Sequence, residues 1–197
     1  YTLPNTASIN IDGVIPAITS WSKPINGTYK IGDDLDFTAT FDDNVDVVNT
    51  PRIAITLASG TVYANYLSGT GTTNISFRYT VVVSDLDTDG LTMVSPLELN
   101  SGTLRDANNN DVDLTYSLPI TSSIDIDGIV ASVSSVTLPS NGTHKESDVV
   151  DFIINYDDSV NVIGSPRIEV TLASGTVYAD YFSGTGSANI VFRYIPT

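Results

Sequence analysis

The chain has 197 residues, with 8 Lys and Arg against 23 Asp and Glu, for a formal net charge of −15. That balance repels nucleic-acid phosphates and anionic membrane surfaces, so neither is an expected partner. With no Cys and one His, His144, a disulfide framework, a thiolate metal site and a multi-His site are all excluded.

In chain order, the first feature is a segment that is repeated later. Tyr1, Leu3, Pro4, Thr6, Ile9 and Asp12 match Tyr116, Leu118, Pro119, Thr121, Ile124 and Asp127 at an offset of 115 residues. Residues 1–11 therefore read as the last strand of a preceding repeat. A complete repeat is expected over 12–126. A second runs over 127–197 and stops short of any counterpart of Val83–Thr115. The chain thus reads as a segment of a longer array. The offset also carries Asn26-Gly27-Thr28 onto Asn141-Gly142-Thr143, and Pro51-Arg52-Ile53 onto Pro166-Arg167-Ile168. Thr56–Ala64 recurs unchanged as Thr171–Ala179, and Phe77-Arg78-Tyr79 as Phe192-Arg193-Tyr194, with no gap.

Within the complete repeat, period-two alternation marks strands with one buried and one wet face. Leu35, Phe37, Ala39 and Phe41 alternate with Asp36, Thr38 and Thr40; Ile53, Ile55 and Leu57 alternate with Arg52, Ala54 and Thr56. Ile75, Phe77, Tyr79 and Val81 do the same with Ser76, Arg78 and Thr80. Turn residues separate these runs: Pro24 to Gly27, Ser59-Gly60, and Gly69 with Gly71. Seven strands are predicted, over 17–22, 35–41, 52–58, 61–67, 74–82, 91–99 and 112–118. No segment shows the helical period. Seven short strands in about 100 residues predict tandem seven-stranded antiparallel Ig-like β-sandwiches, an all-β fold held by hydrophobic burial alone.

These pieces together resemble the bacterial Ig-like repeats of giant secreted surface adhesins, the extender repeats of biofilm-type proteins. The resemblance rests on DGVIPAIT, NGTYKIGDDLDFTATF, PRIAITLASGTVYANYLSGTG, FRYTV, DTDG and LRDANNND, which span nearly the whole chain. It departs where Pro16 becomes Ala131 and Gly32 becomes Ser147. It implies a structural and adhesive module at the bacterial cell surface, outside the cell, projecting an adhesive region and often stiffened by calcium between domains. It implies no catalytic residue, and no nucleophile–base constellation is present, so an enzyme is not expected. The partners implied are neighbouring repeats of the same chain, with other copies or cell-surface and matrix glycans beyond them.

The candidate cation ligands are carboxylates in turns, because Ca²⁺ takes six to eight oxygens. Asp85-Leu86-Asp87-Thr88-Asp89-Gly90 places three of them at alternating positions; the alternative is a solvated acidic turn. The later Glu and flanking helices of an EF-hand are missing. If strands alternate poles, Asp85, Asp87 and Asp89 fall near the repeat exit with Asp125 and Asp127, and Asp157 of the next repeat faces the same junction. At the opposite pole Asp12, Asp42, Asp106 and Asn108 form an equivalent group, with an Asx-rich turn as the alternative. Arg52, Arg78, Arg167 and Arg193 are expected on the wet face, pairing with Asp. Trp21 reads as a core or edge aromatic. Two other functions stay open: a self-assembling extracellular filament or matrix subunit using strand exchange between copies, and a carbohydrate-binding accessory module of a secreted protein.

Overall fold

In the computed structural model of the protein, residues 11–197 are described. The expectation that 1–11 form a strand of a preceding repeat falls, except for Ile11, outside the described residues; Ile11 is exposed and in no strand. The described residues are all β, with no helix. They separate into two compact units, the first ending at Ile129 and the second spanning Val130–Thr197.

The first unit is built on one curled sheet. Its strands are β1 (Ile18–Ser22), β3 (Asp34–Val48), β4 (Arg52–Leu57), β5 (Gly60–Ser68), β6 (Thr72–Thr80) and β8 (Thr92–Glu98). They run in the order β1-β3-β6-β5-β4-β8, and β9 (Thr103–Arg105) joins the far end of β3. All of these pairings are antiparallel. The alternation read from the sequence sets which face is inside. Leu35, Phe37, Ala39, Ile53, Ile55, Ala64, Ile75 and Phe77 are fully buried. A bulge between Thr40 and Val45 lets β3 turn and pair with β9 after leaving β6.

A second, three-stranded sheet was not legible as such. It consists of β2 (Gly27–Lys30), β7 (Leu86–Asp87) and β10 (Ile124–Asp127), in the order β2-β10-β7. The β10–β2 pairing is parallel, with Ile124 opposite Gly27 and Ile126 opposite Tyr29. This sheet covers the core, since Ile124 and Ile126 are buried to the same degree as the central residues of β3 and β6.

Two sequence expectations are corrected. Residues 112–118 do not form a strand; they meet the sheets at isolated points, through the Ala17–Asp113 bridge and through the Leu97 amide donating to the Leu114 carbonyl at 3.0 Å and the Val112 amide to the Leu104 carbonyl at 3.1 Å. Their apolar residues still pack inward, with Val112 buried and Leu114 and Tyr116 half-buried against the core. Conversely, the stretch expected to leave the domain, Ile124–Asp127, is a core strand. Two apolar residues at alternating positions, flanked by acids, make a strand with one buried face, and the unit closes around it. The unit accordingly ends at Ile129 rather than at 126.

The second unit is one five-stranded antiparallel sheet. Its strands are β11 (Val133–Thr137), β12 (Val150–Val160), β13 (Arg167–Leu172), β14 (Gly175–Ser183) and β15 (Ser187–Tyr194), in the order β11-β12-β15-β14-β13. Each matches, at the 115-residue offset, a strand of the first unit: β1, β3, β4, β5 and β6. The registers agree as well, with Phe152 opposite Phe192 as Phe37 is opposite Phe77. The core differs. Only Val150, Ala179, Ile190 and Phe192 are buried among its hydrophobics; Phe152, Ile154, Ile168 and Val170 are half-exposed.

Candidate functional site

The acidic exit turn is positioned by β6, β7 and β10. Asp85 lies just before β7 and is 6% exposed. Its carboxylate accepts the Tyr79 hydroxyl and the Val82 amide, the latter at 2.8 Å. Burial and, next, the neighbouring Asp85 carboxylate push the Tyr79 hydroxyl well above the usual phenol range. Asp85 is thus a buried structural acceptor that folds the loop back onto β6.

Asp87 is 4% exposed. It stands opposite Ile126 in the β7–β10 ladder, so it shares the inner face with that core residue. Its Oδ2 accepts the Ala58 amide at 2.8 Å, tying β7 to the β4–β5 hairpin; its Oδ1 is buried with no protein partner. Asp125 and Asp127 alternate with the buried Ile124 and Ile126, so they occupy the outer face. Asp127 accepts the Ile129 amide at 3.3 Å, and Asp89 is exposed. The strand register therefore separates Asp87 from Asp125 and Asp127 across the thickness of the sheet.

At the entry end the structure brings Asp12 and Asn108 together. The Asn108 side-chain amide donates to Asp12 Oδ2 at 2.6 Å. Asp106 closes its own turn: Oδ1 accepts the Asn108 and Asn110 amides, both at 2.8 Å, and Oδ2 accepts the Asn110 side chain at 2.8 Å. The Asn110 side-chain bond, with the backbone donors behind it, holds the Asp106 carboxyl below the usual carboxylate range. This is the Asx-rich turn. Asp42 accepts the Ala17 amide at 2.8 Å, and the Asp42 amide donates to the Ala17 carbonyl at 3.1 Å, clamping the approach to β1 onto β3. Asp157 repeats the clamp in the second unit, accepting the Ser132 amide at 2.7 Å and its hydroxyl at 2.5 Å. Those two bonds depress its carboxyl.

Several of these carboxylates are engaged by donors of their own unit. Asp42, Asp85, Asp106 and Asp157 direct their carboxylates at protein donors, and Asp87 faces away from Asp125 and Asp127. Among the described residues, no three acidic or histidine side chains are grouped as a metal ion requires.

The arginines sit as the alternation predicts. Arg78 grips Asp36 with two bonds at 2.6 Å and reaches Asp34 at 2.6 Å; Arg193 grips Asp151 at 2.7 and 2.8 Å. Each arginine lowers its partner's carboxyl, Asp36 and Asp151 respectively. Arg52 pairs instead with Glu98 at 2.8 Å and lies over the Tyr63 ring, as Arg167 lies over Tyr178. Trp21 packs on Tyr116 and Phe77, with centroids 4.8 and 6.3 Å away, and its indole nitrogen is buried without a partner. Burial pushes the Tyr116 hydroxyl up to about 12.

Sequence reasoning passed over two features. One is the exit lock. The Gly128 amide donates to the Asp85 carbonyl at 2.7 Å, and the Ser84 amide donates to the Gly128 carbonyl at 2.9 Å. A Cβ at Gly128 would stand 2.3 Å from the Val82 carbonyl oxygen and 2.8 Å from that of Asp85, so only glycine fits. The recurring Asp-Gly pair was the available signal. The other is an apolar depression of about 290 Å³ in the second unit, lined by His144, Val150, Phe152, Val170, Leu172, Tyr194 and Pro196.

Comparison with known proteins finds no matching family model and no matching curated relative.

Proposed function

We propose that the chain is a structural repeat module, an extender that spaces an adhesive region from a bacterial surface. One observation carries the reading: a 115-residue repeat closes its own core, and the chain leaving it is pinned to the domain body. The pin is the Gly128–Asp85–Ser84 backbone lock, a length of chain that cannot swing without breaking two hydrogen bonds. In an array, each unit then contributes a fixed length, and reach grows with repeat number. The Ig-like sandwich belongs to this proposal: an antiparallel curled sheet is capped by β2-β10-β7, in which β2 and β10 pair in parallel, and the whole has the size and alternation that a sandwich requires. A module with Asx turns, arginine clamps and a backbone lock at its poles is built for shape.

Calcium is a separate part of the proposal. An ion would need oxygens beyond those that one unit brings together. A higher melting midpoint in calcium than in chelator supports an ion held by the carboxylates of Asp89, Asp125 and Asp127. Equal midpoints remove the ion and leave the spacer intact.

The spacer itself is tested by small-angle scattering on polypeptides carrying two, three and four complete repeats. The maximum dimension should rise by a constant increment per repeat. A dimension that levels off, as in a compact cluster of repeats, overturns it.

A further inference from the structure

Among the described residues, β2 and β10 are the one pair of strands that run parallel; every other strand pairing is antiparallel. The register sets Gly27 beside Ile124 at one end of the ladder and Lys30 beside Asp127 at the other. β2 lies early in the first unit. β10 is its last strand, from which the chain passes through Gly128 and Ile129 to the second unit. In a parallel pair so placed, the N-terminal end of the early strand and the C-terminal end of the last strand stand at opposite ends of the ladder. Tension along the chain therefore pulls the two strands past each other along their axes. An antiparallel pair would bring both loaded ends together and open bond by bond.

The last strand is built to resist sliding. It lies between β2 and β7, so both of its edges are paired. At its start the Gly27 amide donates to the Ser123 carbonyl at 2.9 Å and the Leu91 amide to the Ile124 carbonyl at 3.1 Å. β7 is tied in turn to the β4–β5 hairpin: the Ala58 amide donates to Asp87 at 2.8 Å, and the Ser59 amide to the Leu86 carbonyl at 3.0 Å. Ile124 and Ile126 are 0% and 1% exposed. Sliding by one residue would turn both of them to the outer face and bring Asp125 and Asp127 into the core. The strand has no neighbouring register to slip into. Just past it, Gly128 is bonded to the backbone of Ser84 and Asp85, which fastens the loaded end as well.

We propose that β2 and β10 form a shear clamp, so that the first unit bears tension applied at its two ends far better than it resists opening from one side. The added function is load-bearing. It rests on the spacer reading, in which each unit passes tension to the next, and gives that spacer a strength as well as a length. The two fail separately: scattering tests the length, and pulling tests the clamp.

The chain has no Cys, so two introduced thiols fix the points at which a single molecule is pulled. In the full chain, Ile25→Cys with Ile129→Cys loads β2 and β10 at opposite ends, whereas Ile25→Cys with Ser123→Cys loads them at the same end. Ile25, Ser123 and Ile129 are exposed, and unchanged Trp21 fluorescence verifies that both variants keep the fold. Both pulls span nearly the same stretch of the first unit and leave the second unit outside the load path, so each rupture should release roughly 300–350 Å of chain. At one loading rate, the opposite-end pull should rupture at a force at least about two-fold higher, since the evenly spaced ladder bonds are loaded together in that geometry and one at a time in the other. Equal rupture forces, or a higher force for the same-end pull, overturn the clamp. So does gradual lengthening under the opposite-end pull with no single rupture.

Discussion

Phe37 and Phe152 are the same residue at the same position of the repeat, one in a closed core and one on an open sheet. Phe37 is 0% exposed within a cluster that includes Leu35, Ile55, Phe77, Leu91 and Ile126. Phe152 is half-exposed and packs against a cluster whose buried members are Ala179, Ile190 and Phe192. Phe37→Ala leaves a void walled on all sides and should cost about 3–5 kcal/mol. Phe152→Ala removes a ring that water already reaches, so the cost should be about 1 kcal/mol or less. The chain supplies its own assay. Its single tryptophan, Trp21, lies in the first unit against Tyr116 and Phe77, so its fluorescence reports that unit alone. In urea, Phe37→Ala should lower the Trp21 midpoint by roughly 1.5–2.5 M, for a slope of about 2 kcal/mol per molar. Phe152→Ala should leave that midpoint unchanged and alter only the far-ultraviolet signal that both units share. Equal costs for the two substitutions, or a Trp21 midpoint that moves with Phe152→Ala, would refute the claim that the first unit closes its core by itself.

Three further outcomes are expected. Gly128→Ala should destabilise the first unit by about 1–3 kcal/mol, because its Cβ meets backbone that cannot move aside. Gly13→Ala, at the matching Asp-Gly pair with nothing within 4 Å of its Cβ, should change the Trp21-monitored urea midpoint negligibly. Tyr79→Phe removes a donor from the buried Asp85 and should cost about 1–3 kcal/mol in the same titration. The carboxyls of Asp36, Asp106, Asp151 and Asp157 all lie below their ordinary values when folded. Their stabilisation is therefore complete above the unfolded carboxylate range, near pH 4, and is lost as pH falls through the folded values. Melting midpoints should hold flat from neutrality to about pH 5 and drop below about pH 4; a midpoint that rises on acidification would contradict the clamps.

The sheet was legible because each of its strands carries its own evidence. Leu35 to Phe41, Ile53 to Leu57 and Ile75 to Val81 alternate over enough residues to fix strand, face and register. The arginine clamps follow from that alternation, since Asp36 and Arg78 must share the wet face if Phe37 and Phe77 share the dry one. The capping sheet was not legible because its strands are two to four residues long and need partners to exist. Leu86–Asp87 reads as part of an acidic turn, Gly27 as a turn residue and Ile124–Asp127 as the exit from the last strand; each becomes a strand only beside the others. Residues 112–118 show the converse error. Val112, Leu114 and Tyr116 have the spacing of a strand and pack inward as one would, but they find almost no ladder to join. Alternation reports which side chains are buried; the hydrogen-bond partner decides whether the backbone is a strand.

The acidic residues were ambiguous in the sequence for a related reason. An Asp in a turn looks the same in sequence whether it faces a cation, water or its own backbone, and composition as acidic as this one favours the first reading. The structure distinguishes the three by burial and by donor. Asp106 answers the amides of its own turn, Asp42 and Asp157 hold the first strand of each unit, and Asp85 sits under Tyr79. The two repeats could have separated these roles in advance. Asp42 and Asp157 recur because both units must anchor a first strand to the long one beside it. Asp85 and Asp87 are buried at β7 of the capping sheet, and Asp106 is buried in the turn after β9. In the first unit these acids accept from the Ala58, Val82, Asn108 and Asn110 amides and so hold the loops that cap the core.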